Sequence, residues 1–341
     1  MNDYASEFSI NGCLIGMNHP VYIIAEAGIS HFGDENKAYR LVDLAVESGA
    51  DAVKFQIYDV DAMISKVSAD WKTRLGSRQL DYAAFERIQK YCDNKNITFF
   101  ATAHDQPSLD FLVSLNVPAY KIGSGEVGNW PFIETVANLG KPLIFSTGMY
   151  KIEQISEALE IISGTNNKDI GVLHCVTEYP APVKDISLKN INLIAKNFDV
   201  ISGYSDHTEG YHIPLAAIAM GAKIIEKHIS LDFNVPNAQD WKVSCGPHDL
   251  ALFIKQARDI EAALSLREDG PTKGERDSLI WASKSLIAKK NIETGSVISI
   301  EDLVSKRPGT GISPSMIMDL VGRTAKKNIQ IDEVIKWEFL S

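Results

Sequence analysis

Eight short apolar runs, at 21–27, 52–57, 98–102, 119–122, 142–146, 170–175, 200–204 and 223–229, alternate along the chain with helical patterns. Those patterns fall at 36–48, 82–94, 108–115, 131–139, 152–162, 188–197, 211–221 and 250–266. Each run is continuous rather than alternating, as expected for a strand covered on both faces of a parallel sheet. Strands joined by helix-length crossovers pair in parallel, so their C-terminal ends emerge at one edge. Eight such units in about 250 residues predict an α/β fold, a closed (β/α)₈ barrel rather than an open doubly wound sheet, with its working face at the strand C-terminal ends. Ahead of the first unit, EFSINGCLIG places Asn11-Gly12 between two short apolar runs, a hairpin signal.

The last strand–helix–strand unit, 200–230, ends each strand in a polar cluster containing a histidine, His207 and His228, each beside a carboxylate, Asp206 and Glu226. Two imidazoles at one sheet edge are either hydrogen-bonded strand caps or ligands of a divalent metal. The other strand ends are also polar: Glu26, Lys54 to Gln56, Thr102, Lys121, Ser146-Thr147 and the stretch from His174 to Tyr179. Lysine and glutamate are seldom fully buried without a partner or a purpose. Lys54 and Lys121, with Ser124, Ser146 and Thr147 nearby, form a candidate cradle for a phosphate or carboxylate, against the simpler reading of paired structural charges. Gly123-Ser124-Gly125-Glu126-Val127-Gly128 matches a dinucleotide fingerprint, but the next strand ends in Ser146-Thr147 with no acidic residue for a ribose, so NAD binding is set aside.

Composition narrows the classes. A formal charge of −10 argues against nucleic acid or an anionic membrane as partner. No apolar run approaches the roughly 18 residues of a membrane span, and the N-terminus lacks a basic-then-apolar leader, so a cytoplasmic protein is expected. Four widely spaced cysteines, Cys13, Cys92, Cys175 and Cys245, suggest neither a disulfide framework nor a thiolate zinc site.

The stretches IIAEAGISHFG, DAVKFQ, AYKIGSGE, LIFSTGM, LHCVTEYPAP, GYSDHTEG and IIEKH resemble, in order and spacing, the sialic acid (N-acetylneuraminate) synthase family, which includes the legionaminate and pseudaminate synthases. The C-terminal KSLIAKKNIETGSVISIEDLVSKRPGTGI resembles the antifreeze-like SAF domain of those enzymes. The resemblance implies a transferase that condenses phosphoenolpyruvate with an N-acetylmannosamine-like aldose. The products would be a nine-carbon 2-keto-3-deoxy acid and phosphate, with a divalent metal, most often Mn²⁺, and Mg²⁺ or Co²⁺ as alternatives. It places Lys54, Lys121, Ser124 and Ser146 on the phosphoenolpyruvate, with Thr102, Thr177 and Ser205 nearby. His207 and His228 match metal ligands, and Glu26 matches a residue that manages a proton. Gln56, Glu126, Tyr179 and Asp240 match positions facing the substrates. Arg307 matches an arginine lent by the SAF domain of one subunit to the barrel of the other in a domain-swapped homodimer.

Three places depart from the family pattern: Ser30 and Phe32 in the first motif, His104 after the third strand, and Trp241 in the loop after the eighth. All three are expected where the sugar sits, leaving the acceptor open. The domain plan is a hairpin extension at 1–20, the barrel at 21–266, a linker at 267–281 and the SAF domain at 282–341. Two other classes stay in view. One is a different metal-dependent barrel aldolase or isomerase acting on a phosphorylated or acidic sugar, identified by Schiff-base trapping on Lys54 or Lys121. The other is a non-catalytic carbohydrate- or ice-binding protein.

Overall fold

In the computed structural model, which describes residues 4–266 and 270–341, the chain divides into two compact units that part at Ser265 and Leu266. The first opens with the hairpin β1 (Glu7–Ile10) and β2 (Cys13–Gly16), whose turn residues Asn11 and Gly12 take φ of 49° and 83°, the left-handed pair a tight hairpin requires. Eight parallel strands follow: β3 (Tyr22–Gly28), β4 (Ala52–Ile57), β5 (Thr98–Ala103), β6 (Tyr120–Ile122), β7 (Leu143–Ser146), β8 (Ile170–Cys175), β9 (Ile201–Asp206) and β10 (Ile224–His228). Because β10 pairs with β3, the sheet closes into the barrel expected from the sequence.

The principal helices are α1 (Glu35–Ser48), α4 (Tyr82–Asn94), α5 (Gln106–Ser114), α6 (Trp130–Ala137), α7 (Ile152–Gly164), α8 (Lys189–Phe198), α9 (His212–Ala219) and α10 (Leu250–Leu264). Two short helices, α2 (Val60–Met63) and α3 (Ala69–Gly76), lie between β4 and β5. They had no counterpart in the sequence reading, since 58–80 is polar and lacks a sustained apolar period. Aspartates cap several helices at the mouth: Asp34 accepts from the amides of Asn36 and Lys37, Asp81 from that of Ala84, and Asp105 from that of Ser108.

Strand residues alternate between two cores. Outward-facing residues such as Val53, Phe55, Tyr204 and Ile225 pack under the helices. Tyr22, Ile24, Ala52, Phe100, Ala119, Ile144, Leu173, Ile201 and Ile224 fill the bore, and Phe8, Ile10 and Ile15 of the hairpin pack with them. The hairpin, read from sequence as an extension, therefore belongs to the barrel unit and plugs its lower end. With the bore filled below, the next inward-facing residue of each strand opens upward at the mouth. That layer holds the polar residues.

The second unit contains α11 (Lys273–Ala282) and a small sheet of β11 (Ser285–Ala288) and antiparallel β12 (Leu303–Lys306), followed by the short helix α12 (Ile317–Leu320). Its core gathers Leu286, Ile292, Ile298, Leu303, Ile312, Leu320, Ile329, Ile335 and Leu340. The segment predicted as linker is helical from Lys273, and residues 267–269 lie outside those described. Thr272 and Glu275 form a capping box at its start, the signal that outweighs the Gly and Pro content. Among the described residues no helix is long and apolar enough to cross a membrane.

His31 illustrates how the turn after β3 is built. It is 1% exposed, its ring centroid lies 6.2 Å from those of both Phe55 and Phe85, and its Nδ1 accepts from the Gly33 amide at 3.1 Å. Burial pushes its pKa down to about 4. A histidine depressed in the folded state binds fewer protons than in the unfolded chain, so its contribution to stability is lost as pH falls from about 6.5 toward 4. At pH 5 this amounts to about 2 kcal/mol relative to pH 7.5. Urea denaturation should show that the pH 7.5-to-5 loss is smaller in His31→Leu by that amount.

Candidate active site

A cavity of about 380 Å³ opens at the C-terminal ends of the strands. Twelve of the residues singled out from sequence line it: Glu26, Lys54, Gln56, Thr102, Lys121, Ser124, Ser146, Thr177, Tyr179, Ser205, His207 and His228. The strand alternation that fills the bore also brings these side chains together. Glu226 and Cys175 join them, and were not selected from sequence as site residues.

The floor is a buried charge network. Lys54 Nζ lies 2.8 Å from Glu26 Oε2 and 3.5 Å from Glu226 Oε2, and donates to Thr102 Oγ1 at 3.1 Å. Glu26 Oε1 accepts from Gln56 Nε2 at 2.9 Å, and Glu226 Oε1 from Ser205 Oγ at 2.9 Å. Lys121 is placed differently: it donates to Ser146 Oγ at 2.7 Å and to the Ile122 carbonyl at 3.0 Å, while its nearest carboxylate oxygen, on Glu226, is 3.9 Å away. Lys54 thus has two close counter-charges, whereas Lys121 is underpaired.

Titration follows this arrangement. Burial opposes the Lys54 cation, yet Glu226 and Glu26 outweigh it and raise the pKa. Burial lowers that of Lys121. Burial raises the Glu26 carboxyl above its ordinary value; for Glu226 the same burial is outweighed by Lys121 and Lys54, which push it down to about 2. Two carboxyls in one cavity are driven apart, one toward holding a proton and one toward staying ionised, a pattern suited to acid–base work.

Beside this network, Ser124 Oγ accepts from the Gly148 amide at 3.0 Å. A Cβ at Gly148 would lie 2.2 Å from Thr177 Oγ1 and 2.7 Å from Ser124 Oγ, so only glycine lets the two hydroxyls and the amide converge. Lys121, Ser124, Ser146 and Thr177 thus gather an ammonium and three hydroxyls along one cavity, a donor set with the chemistry to hold an anion.

In the same cavity, the rings of His207 and His228 lie 5.2 Å apart. His207 Nδ1 donates to the Val176 carbonyl at 2.7 Å, leaving Nε2 unprotonated to accept from Tyr179 OH at 2.8 Å. The Tyr179 ring stacks on His207 at 4.0 Å. His228 Nδ1 is buried without a hydrogen-bond partner, and burial together with His207 holds this imidazole well below its ordinary pKa. His228 therefore presents a lone pair; for His207 burial opposes the cation, but Cys175 beside it outweighs burial and raises the pKa, so Nε2 is a ligand in the neutral form of the ring. Asp206, read from sequence as the carboxylate beside His207, faces the helices instead, because it is one residue out of phase with the inward-facing Ser205.

The remaining sequence assignments are more dispersed. Glu126 lies outside the main cavity, in an adjoining depression shared with Met63 and His104, and accepts from Asn129 Nδ2 at 2.6 Å. Asp240 is half-buried at the start of the turn Asp240–Val243, does not line the cavity, and has a carboxyl raised by burial. Arg307 belongs to the second unit, where its exposed guanidinium donates through Nε to the Ala282 carbonyl at 2.9 Å.

Of the departures from the family pattern, only His104 lines the cavity. Phe32 adopts φ of 50° and sits under Lys37 and Arg78, whose charged groups lie 5.5 and 5.4 Å from its ring, and Ser30 is buried. Trp241 donates its indole N–H to the Val235 carbonyl at 3.1 Å. The expectation that all three changes face the sugar is corrected accordingly. Instead Tyr58, Met63, Trp71 and Leu75, from the unexpected β4–β5 insertion, form an apolar wall with Ile29. Tyr58 OH is engaged by the Leu75 carbonyl at 3.0 Å, so this wall presents mainly carbon.

Comparison with known proteins agrees with this picture. The N,N'-diacetyllegionaminic acid synthase of Campylobacter jejuni is 39% identical over 92% of this chain and 98% of its own. A synthase of the same name from Legionella pneumophila is 34% identical over 95% and 96%. The crystal structure of N-acetylneuraminic acid synthetase from Leptospira borgpetersenii, in complex with citrate, superposes with a TM-score of 0.75 at 32% identity, covering 82% of this chain and 97% of that one. Residues 283–341 match the SAF domain model. With residues 41–269 matched by the family model as well, the chain belongs to the NeuB family.

Proposed function

We propose that this protein condenses phosphoenolpyruvate with an N-acylated aldose to give a 2-keto-3-deoxy sugar acid of the sialic type, releasing phosphate. The observation that carries this reading is the underpaired Lys121, set among the Ser124, Ser146 and Thr177 hydroxyls within a cavity that also holds two neighbouring imidazoles. A phosphorylated carboxylate needs several fixed cations and donors, and Lys121, Lys54, Ser124, Ser146 and Thr177 supply them. Thr102 and Ser205 orient Lys54 and Glu226.

His207 and His228 fit a divalent metal: they are neighbouring imidazoles at the ends of adjacent strands, His207 Nδ1 is tied to the Val176 carbonyl so that Nε2 is its ligating atom, and His228 Nδ1 is an orphaned buried nitrogen. Among the described residues no third His, Cys, Asp or Glu joins them, so substrate and water would complete the coordination. When bound there, the metal, which we read as manganese with magnesium or cobalt as alternatives, supplies Lewis-acid polarisation of the acceptor's carbonyl. The cradle holds phosphoenolpyruvate with its methylene carbon toward the histidines. That carbon bonds to the aldehyde carbon, whose oxygen takes the proton held on Glu26, leaving this carboxylate ionised for the next step. Water adds to the oxocarbenium carbon left behind, Glu26 accepting its proton, and collapse of the tetrahedral adduct expels phosphate. Gln56 holds Glu26 in place for this exchange.

The acceptor meets the apolar wall of Met63, Trp71 and Leu75, with His104 and Tyr179 as polar contacts in the cavity; Glu126 and Asp240, which stand outside its lining, are read as reaching the outer part of the sugar. We read the protein as a cytoplasmic homodimer in which Arg307 of one subunit reaches the cavity of its partner, a role consistent with the exposed guanidinium.

Lys121 also supports a second reading. A buried lysine with a lowered pKa is the nucleophile of Schiff-base aldolases. Borohydride reduction with pyruvate present separates the two: covalent labelling of Lys121 would establish the aldolase, and calorimetric binding of phosphoenolpyruvate without labelling supports the synthase. Gly148→Ala tests the cradle itself. Displacing the Thr177 and Ser124 hydroxyls should weaken phosphoenolpyruvate binding by roughly tenfold in calorimetry, with thermal stability little changed.

A further inference from the structure

Behind the two histidines, on the helix-facing side of the same strands, lies a charge pair that the proposed chemistry does not use. Asp206 and Lys227 are both fully buried and directly opposite one another in the β9–β10 register. Each immediately precedes a candidate metal ligand: Asp206 precedes His207, and Lys227 precedes His228. Lys227 Nζ bonds Asp206 Oδ2 at 2.5 Å and the Thr208 carbonyl at 2.9 Å. Asp206 Oδ1 accepts from Tyr204 OH at 2.9 Å, from the Thr208 amide at 3.1 Å and from Thr208 Oγ1 at 2.8 Å. His207 is thereby bracketed on both sides by groups tied to Lys227. Without these bonds the chain leaving β9 would be free to rotate His207 away from the Val176 carbonyl, which fixes its tautomer.

Stability alone is a poor reason for such a pair. Burying two charges is costly enough that replacement by apolar residues of similar volume is often neutral or favourable. We propose that Asp206 and Lys227 are positioning residues, forming a cross-strand clamp that sets the separation and ring orientation of His207 and His228 for a divalent cation. This rests on the reading of those histidines as metal ligands. Groups behind the ligands that fix their orientation typically change metal affinity by roughly 10 to 100-fold when removed.

The test is Mn²⁺ binding by the full-length chain, followed by the electron paramagnetic resonance of free Mn²⁺. It is paired with ¹⁵N shifts of the histidine rings in metal-free protein and calorimetry of phosphoenolpyruvate. The double variant Asp206→Leu/Lys227→Met removes both charges without leaving either alone. It is expected to bind Mn²⁺ at least tenfold more weakly and to lose the Nδ1-protonated signature of His207, while binding phosphoenolpyruvate within twofold of the unaltered chain. Mn²⁺ affinity and His207 shifts equal to those of the unaltered chain would overturn the clamp. Should the double variant fail to fold, Thr208→Val, which loses one hydroxyl bond but keeps both charges, is expected to weaken Mn²⁺ about threefold, and unchanged affinity there overturns the proposal equally. Mn²⁺ binding that survives both His207→Ala and His228→Ala in the otherwise unaltered chain would instead contradict the metal reading, and the clamp with it.

Discussion

Lys121→Met should lower kcat/KM for phosphoenolpyruvate by at least about a thousandfold, roughly 4 kcal/mol of lost transition-state stabilisation, while lowering the melting temperature much less than Lys54→Met does. The two halves of this expectation have one cause. Lys121 donates only to Ser146 Oγ and the Ile122 carbonyl, and its removal leaves Glu226 still facing Lys54. Glu226 loses one of its two cations but keeps Lys54, so the larger loss falls on the substrate. Lys54→Met is the contrast: it strands both Glu26 and Glu226 in a buried site, so stability and activity should fall together. Thermal denaturation and steady-state kinetics on the two variants distinguish a recognition lysine from a structural one. Equal melting losses would remove the distinction on which the anion cradle is built.

The second large effect is expected at the histidines. His207→Ala or treatment with a chelator should reduce turnover by roughly a thousandfold, because both remove the same Lewis acid. Phosphoenolpyruvate binding should persist within a fewfold in either case, since the cradle lies on Lys121, Ser124 and Ser146 rather than on the imidazoles. His228→Ala should behave alike, and the chelator should have no added effect on either variant. If chelation left turnover intact, or if His207→Ala remained sensitive to it, the two histidines would be strand caps. The Tyr179–His207 contact would then be only a packing feature.

Much of this site was legible in the sequence because polar residues at the ends of apolar runs have few places to go in a parallel barrel. Lys54, Lys121, Glu26 and the histidines stood out for that reason. What the sequence concealed was phase. One residue decides whether a side chain enters the mouth or the helix layer, and an apolar run fixes strand ends only to within a residue or two. Asp206 and Glu226 show both outcomes: each neighbours a histidine, yet Asp206 faces the helices and Glu226 the cavity floor. The acceptor wall was hidden for another reason. Trp71 and Leu75 belong to short helices without a repeating apolar face, so only tertiary placement reveals them. The helix α11 was available through its Thr272–Glu275 capping box and was obscured by the surrounding glycine and proline.

The most direct test of the synthase reading is phosphate release from phosphoenolpyruvate with Mn²⁺, across a panel of N-acetylmannosamine, mannose and a 2,4-diacetamido-trideoxy hexose, with and without chelator. Mass spectrometry of the product completes it. The account predicts that release requires an N-acylated aldose, is lost with chelator, and is matched mole for mole by a nine-carbon 2-oxo acid. Failure of phosphoenolpyruvate to bind or turn over, with pyruvate accepted in its place, would contradict it.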